Sequence, residues 1–291
     1  MVKRSEALGV GGALFYILLW ASAYVPSKIG VLDSSPLWFL TIRFVISGVL
    51  ALGVARVLGA LRFPATREQW LAVFALGITS NAIYLGFTYE ALRHLASGVG
   101  AIVASMNPLV LAIVAPALLH ERLTKLKIVG LLLGFGGVVG IMIARTGSGS
   151  AEPRDVLLAF LGVTGSVAGT IIFKKYCATL ALPTVAGLQL LAAAVVLLPL
   201  AIVLEGAPHA LWTPRLIVSF AYVVIVMSVG ASILWFWLLE RGEASRVSAF
   251  YFLTPVFGLA IAFLILHEPV GVRDLGGLAA IALGIFLVQR A

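Results

Sequence analysis

Two dipeptides, Asn107-Pro108 and Thr254-Pro255, stand near the middle of long apolar stretches, 147 positions apart. Proline has no N–H to give, so in a helix the carbonyls of Ala104 and Tyr251 lose their intrahelical donor. At membrane depth a freed carbonyl needs a side chain, a water or a ligand. A structural kink is the plainer reading of one such proline. A matched pair, each preceded by a hydrogen-bonding residue, favours a site in which Ser105, Met106, Asn107, Tyr251 and Thr254 contact a small molecule while Pro108 and Pro255 act as hinges.

Polar residues elsewhere in the apolar stretches recur at helical spacing and so share one face. Trp20, Tyr24 and Ser27 form one stripe, and Asn81, Tyr84 and Thr88 a second. Ser166 with Thr170, and Ser228 with Ser232 and Trp235, form two more. Such faces look toward a cavity or toward other helices. Trp38, Trp70 and Trp212 lie at stretch ends and read as interface belt residues. Arg43 is the one charge well inside a stretch, about two turns from its end, where outward snorkelling competes with a role in binding.

The groups that are missing narrow the chemistry. All twelve Asp and Glu, and His94, His120, His209 and His267, fall at stretch ends or in loops. No midplane carboxylate or imidazole offers a proton relay. No carboxylate pair, His cluster or buried lysine suggests intramembrane catalysis, a retinal Schiff base or a metal site, so an enzyme is disfavoured and no cofactor is expected. A single cysteine, Cys177, excludes an internal disulfide. A cavity of hydroxyls, amides, carbonyls and aromatic faces suits a small molecule without net charge, zwitterions included. Aromatic faces would hold an ammonium group.

The elements that position these residues are apolar helices. Hydrophobic residues make up 62% of the 291-residue chain, charged residues 11%, and mean hydropathy is +1.12, more apolar surface than a soluble interior hides. Ten stretches are long enough, at about 20 residues, to cross a bilayer. They run from Ala7 to Lys28, Leu37 to Leu58, Trp70 to Ala91, Ala96 to Leu119 and Thr124 to Ala144. The second set runs from Asp155 to Cys177, Pro183 to Leu204, Pro214 to Glu240, Ser245 to Leu266 and Val272 to Gln289. The polar segment Thr146-Gly147-Ser148-Gly149-Ser150 divides two sets of five.

The sets repeat. Pro108 and Pro255, His120-Glu121 and His267-Glu268, Lys28 and Lys175, and Gly130 and Gly277 share the 147-residue offset. Ala96-Ser97 and Val99 match Ala244-Ser245 and Val247 after a one-residue gap. Residues 1–147 and 148–291 are therefore expected as two five-helix repeats of one structural unit. Because five is odd, the second must be inverted. Gly130, Gly134, Gly136 and Gly140, with Gly276, Gly277 and Gly284, are expected to let helices approach closely.

The net charge of +8 belongs to clusters between stretches, a topology signal rather than a nucleic-acid surface. Lys3, Arg4, Arg56, Arg62, Arg67, Arg122, Lys125, Lys127, Lys174, Lys175, Arg241, Arg246 and Arg290 fall on the side of the termini. Lys28, Arg93, Arg145, Arg154, Arg215 and Arg273 fall on the other. Thirteen against six places both termini in the cytoplasm of a cell (inner) membrane.

The duplicated halves, the Trp20-Ala21-Ser22-Ala23 to Lys28 stretch, and Asn107-Pro108 through His120-Glu121 echoed by Thr254-Pro255 through His267-Glu268 resemble the drug/metabolite transporter superfamily. The resemblance is to its EamA-type branch of ten-helix carriers and covers essentially the whole chain. It implies an all-α polytopic membrane protein working by alternating access on a small-molecule substrate within the lipid bilayer. Within that branch the chain looks like the YddG-type exporters, which implies export of aromatic or other neutral amino acids. A broad drug efflux carrier is the alternative in transport, and a channel or membrane-embedded enzyme the alternative class. The oligomeric state is open, a monomer included.

Overall fold

The computed structural model describes residues 2–94, 103–146, 152–257 and 272–291, with residues 2–8, 24, 142–146 and 272–274 described by backbone alone. The described residues are helical apart from turns, loops and one isolated bridge between Ser34 and Ala210. We label α1 Val2–Ser22, α2 Tyr24–Asp33, α3 Pro36–Val57, α4 Arg67–Leu92, α5 Asn107–Leu119 and α6 Lys125–Thr146. In the second half, α7 is Pro153–Cys177, α8 Leu182–Glu205, α9 Pro214–Arg241, α10 Ala244–Ala249 and α11 Val272–Arg290.

Six described spans are long and apolar enough to cross a membrane: Gly9–Asp33, Pro36–Val57, Arg67–Leu92, Pro153–Cys177, Leu182–Glu205 and Pro214–Arg241. The other four expected stretches each include residues, or side chains, outside the described set. Ala96-Ser97, Val99 and His267-Glu268 are among them. Prolines sit in the first turns of α3, α5, α7, α8 and α9, where a missing N–H costs no hydrogen bond. Thr66 and Gln69 close a capping box on α4, and His120 ends α5 in the left-handed region at φ 58°. Val45, Val49 and Ile46 of α3 are exposed while Leu40, Phe44, Ser47 and Ala51 are buried, so this helix shows lipid one face and the bundle the other.

Equivalent helices pair with each other. α3 packs on α8 and α6 on α11, while α4 packs on α7 as α9 packs on α1. A Cβ on Gly130 would meet the Gly284 carbonyl at 2.6 Å, and one on Gly137 would meet the Gly277 carbonyl at 2.7 Å. The early part of α6 thus faces the late part of α11, and the two run antiparallel. α3 and α8 do the same, with Gly48 against Gly187, the Ala60 carbonyl bonded to Thr184 and the Leu37 amide to Glu205. A two-fold relation between inverted halves has this signature. One glycine expectation needs correction: Gly136, Gly140 and Gly276 have open space where a Cβ would stand. Gly130, Gly134 and Gly137 recur at i, i+4 and i+7 and share the contact face, which Gly136 and Gly140 do not.

Both chain ends lie on one face. Gly9, Val10, Glu243, Arg246 and Gln289 line a common hollow there. We call this the terminal face, and the opposite one, which carries Asp33, Leu92 and Arg215, the far face.

Candidate functional site

Two described helices change pitch where they cross the centre of the bundle, and a third does so at its terminal-face end. α4 makes a π-helical turn over Ile78–Ile83, α7 over Phe173–Cys177 and α9 over Val223–Ala231. Adding the 147-residue repeat to 78–83 gives 225–230, inside the α9 turn, so the device is duplicated. Wide turns free carbonyls and redirect side chains, and they concentrate at functional sites. Ser47 Oγ donates to the Val224 carbonyl at 3.2 Å, repairing one of them.

Between the α4 and α9 turns lies a cavity in two joined compartments. The outer one, with about 70 Å³ of free space, reaches Leu92 at the far end of α4 and is walled by Ser27, Thr88, Tyr89, Ala104 and Val163. The inner one, with about 80 Å³ of free space, is walled by Tyr16, Ser80, Asn81, Ser166, Gln189, Ser228, Ser232, Trp235 and Tyr251. Trp20, Arg43, Tyr84, Leu85 and Met227 line both. Both are smaller than the roughly 300–1,000 Å³ usual for small-molecule sites, so a bound metabolite needs the walls to move apart.

Five rings form one side of this cavity. Trp20 stacks on Tyr84 with centroids 5.9 Å apart and planes at 10°, and Tyr16 stacks on Trp235 at 4.9 Å. Tyr251 stands edge-on to Trp20 at 5.7 Å and shares a 2.8 Å hydroxyl hydrogen bond with Tyr16. On the same wall Asn81 Nδ2 donates to Gln189 Oε1. Toward the terminal face the cavity ends on packed apolar residues: Phe173 stacks on Phe236 at 4.4 Å, clustered with Cys177, Leu239 and Ala244.

The structure brings together on the cavity wall Trp20, Asn81, Tyr84, Ser166, Ser232, Trp235 and Tyr251 of the residues expected there. Asn107 is one layer back, donating from Nδ2 to Ser166 Oγ at 3.0 Å while its Oδ1 is buried with no hydrogen-bond partner among the described residues. Thr170 is not on the wall, because its hydroxyl turns back onto the Ser166 carbonyl at 3.1 Å. Ser105 and Thr254 are buried beside the two helix breaks, and Met106 precedes α5, none of them lining the cavity. The Tyr24 side chain lies outside the described set. The backbone is interrupted ahead of both prolines, by a turn at 105–106 and by a 3-10 segment at Phe250–Leu253. Pro108 and Pro255 each stand in the first turn of the helix that follows the interruption.

Arg43 departs from the snorkelling expectation. It is only 6% exposed and points into the bundle, where Nε donates to Ser228 Oγ at 2.8 Å and Nη1 to Tyr89 OH at 3.0 Å. Tyr89 OH donates onward to Ser27 Oγ at 2.9 Å. Sequence reasoning also missed Gln189, an isolated amide in α8, and Tyr16. Tyr16 precedes Trp20 by four residues and so shares its face.

The terminal face is tied shut beneath the apolar floor. Lys127 Nζ, 2% exposed, donates to Glu243 at 2.9 Å, Ser245 Oγ at 2.9 Å and the Arg122 carbonyl at 3.1 Å. The Glu121 carboxylate accepts from the amides of Ala244 at 2.5 Å and Ser245 at 3.1 Å, and from Ser245 Oγ. Lys174 Nζ binds the carbonyls of Leu239 and Gly242. Burial opposes the charge on Glu243, yet the hydrogen bonds and charges of Lys127 and Arg246 outweigh it and hold the carboxyl below the usual carboxylate range.

Comparison with known proteins gives this arrangement its family. The EamA-like transporter family matches twice, over residues 7–143 and 154–290. The chain belongs to that family. It is 28% identical over 275 residues to the Bacillus subtilis protein named "Uncharacterized transporter YvbV", covering 94% of this chain and 89% of the relative. It is 25% identical over 285 residues to a "Probable amino-acid metabolite efflux pump" of Salmonella typhimurium, covering 94% and 92%. A solved crystal structure, 21% identical, superposes with a TM-score of 0.80 over 98% of this chain and 97% of that one, which shows the shared fold. The protein is thus a multi-pass membrane transporter of the drug/metabolite superfamily.

Proposed function

We propose that this transporter exports small zwitterionic or neutral metabolites, foremost aromatic and other neutral amino acids, by alternating access across the cell membrane. The observation that carries the reading is the cavity, lined by rings, amides and hydroxyls, running from mid-bundle to the far face and ending on an apolar floor. Flat apolar side chains stack on such rings, and an ammonium is attracted to their faces. The thirteen-to-six charge distribution supports a cytoplasmic terminal face, and with it the reading of this form as outward-facing. The name of the Salmonella relative points the same way. The absence of a carboxylate or imidazole from the described cavity wall favours transport down the substrate's own gradient over proton antiport.

A broad carrier of amphipathic drugs is the second reading, favoured by the number of rings. Binding separates the two. Tyr84→Ala removes half of the Trp20 stack, and losing about 1.4 kcal/mol of ring contact weakens binding about tenfold. In detergent, tryptophan fluorescence titration with phenylalanine is expected to show that loss, with the folded variant's elution unchanged. Equal phenylalanine affinity in parent and variant, or tight binding of bulky drugs with none of amino acids, would contradict the amino acid reading.

A further inference from the structure

Arg43 is the least explained charge in the molecule. A guanidinium carries five N–H donors, and only two of its three nitrogens are used, both on neutral hydroxyls, Ser228 Oγ and Tyr89 OH. The guanidinium also lies over the face of Phe44, 5.6 Å from the ring centroid. Nη2 makes no hydrogen bond among the described residues. No described carboxylate pairs with it either: Asp155, buried with Oδ1 free of hydrogen bonds among the described residues, stands 3.6 Å from His94 Nδ1, and three other acids toward the far face are engaged elsewhere. Asp33 holds Arg215 through two 2.7 Å bonds, Glu205 accepts from the Leu37 and Trp38 amides, and Glu90 pairs with Arg93 and Arg154.

A charge inside a membrane protein is ordinarily paired, or it reaches to the interface. Arg43 does neither. It opens instead on both compartments of the cavity, together with Trp20 and Tyr84. Water can solvate it while the cavity is open. When the cavity closes, that water leaves, and a buried cation without a counter-charge is strongly disfavoured. A ligand carboxylate repairs this, since the planar fork of arginine takes carboxylates in charge-assisted pairs.

We propose that Arg43 is the carboxylate anchor of the cavity, set beside the Trp20–Tyr84 stack, so that the cargo is an amino acid or other small organic acid. This rests on the transport reading above and sharpens it. Ser228 and Tyr89 hold the guanidinium plane, and the free edge faces the ligand. A zwitterion places its carboxylate on Arg43 and its ammonium or ring against Trp20 and Tyr84. An organic cation meets a like charge in the same space, which argues against cationic drugs as cargo.

Four probes of one size test this on the full-length purified protein: phenylalanine, 3-phenylpropionate, phenylethylamine and phenylalaninol. Fluorescence titration is expected to show the two carboxylates binding about 100-fold more tightly than the two compounds that lack one. Arg43→Met should erase that preference, and Arg43→Lys should restore part of it, keeping the charge but losing the fork. If Arg43→Met does not fold, the four affinities of the parent decide alone. Equal binding of acid and amine by the parent, or an unchanged preference in folded Arg43→Met, overturns the anchor. Binding of phenylalanine without any carboxylate preference does so while leaving amino acid transport intact. Binding of 3-phenylpropionate but not phenylalanine keeps the anchor and overturns the amino acid reading, and binding of none of the four overturns both.

Discussion

Lys127→Met is expected to open the terminal face and expose Cys177, the one cysteine of the chain, to a water-soluble maleimide. Cys177 is fully buried in the apolar floor, among Phe173, Phe236, Leu239 and Ala244, so its alkylation reports entry from the terminal side. Lys127 fastens α6 to the α9–α10 turn through Glu243 and Ser245, and holds the preceding loop through the Arg122 carbonyl. Hydrogen bonds to a charged group contribute about 1.5–3 kcal/mol each, and about 1.4 kcal/mol is tenfold in an equilibrium, so loss of this hub should speed alkylation at least about tenfold. Glu121→Gln should act in the same direction more weakly, because the neutral amide still accepts one of the Ala244 and Ser245 donors. The sign of the pH effect follows from Glu243. Its carboxyl is held low, so the tie is complete at neutral pH and is lost only as pH falls through that lowered value. Unchanged labelling in both variants would show that the closed floor does not depend on this cluster.

Gly284→Leu is expected to destabilise the folded protein by about 3 kcal/mol or more, while Gly140→Leu leaves it unchanged. A Cβ on Gly284 would stand 2.5 Å from both the Gly130 carbonyl oxygen and the Gly134 nitrogen, and backbone cannot move aside as a side chain can. Overpacking costs about 1–3 kcal/mol even where side chains can adjust. Gly140 has open space at the same point, on a surface where leucine is at home in lipid. Thermal unfolding in detergent measures both. Equal melting of the two variants would mean that α6 and α11 do not hold the two halves together.

The fold was legible because lipid imposes one simple rule on every span, a run of about 20 apolar residues, and because duplication wrote that rule twice. The positions of the two helix interruptions, ahead of Pro108 and Pro255, could be read for the same reason: the backbone chemistry of proline is local. The π-helical turns at Ile78–Ile83 and Val223–Ala231 could not, since a wide turn is decided by what packs around it and Ile, Val and Ser suit an α-helix as well. Arg43 shows the other gap. Its depth is visible from its place in α3, but its direction depends on Tyr89 and Ser228, which come from other helices. Thr170 fell out of the stripe because a hydroxyl in a helix has its own backbone as an alternative partner. In the glycine pattern of α6, a four-residue spacing names two faces as easily as one.

The central claim is that an outward-facing cavity of rings and amides carries amino acids by exchanging access between two faces. Counterflow in proteoliposomes tests it most directly, with a pH-sensitive dye in the lumen. Vesicles loaded with unlabelled phenylalanine should accumulate external labelled phenylalanine transiently, with no imposed proton gradient, no sensitivity to an uncoupler and no change in lumenal pH. Uptake that needs a proton gradient and moves lumenal pH would contradict the coupling, and linear, non-saturating flux without counterflow would contradict the carrier itself.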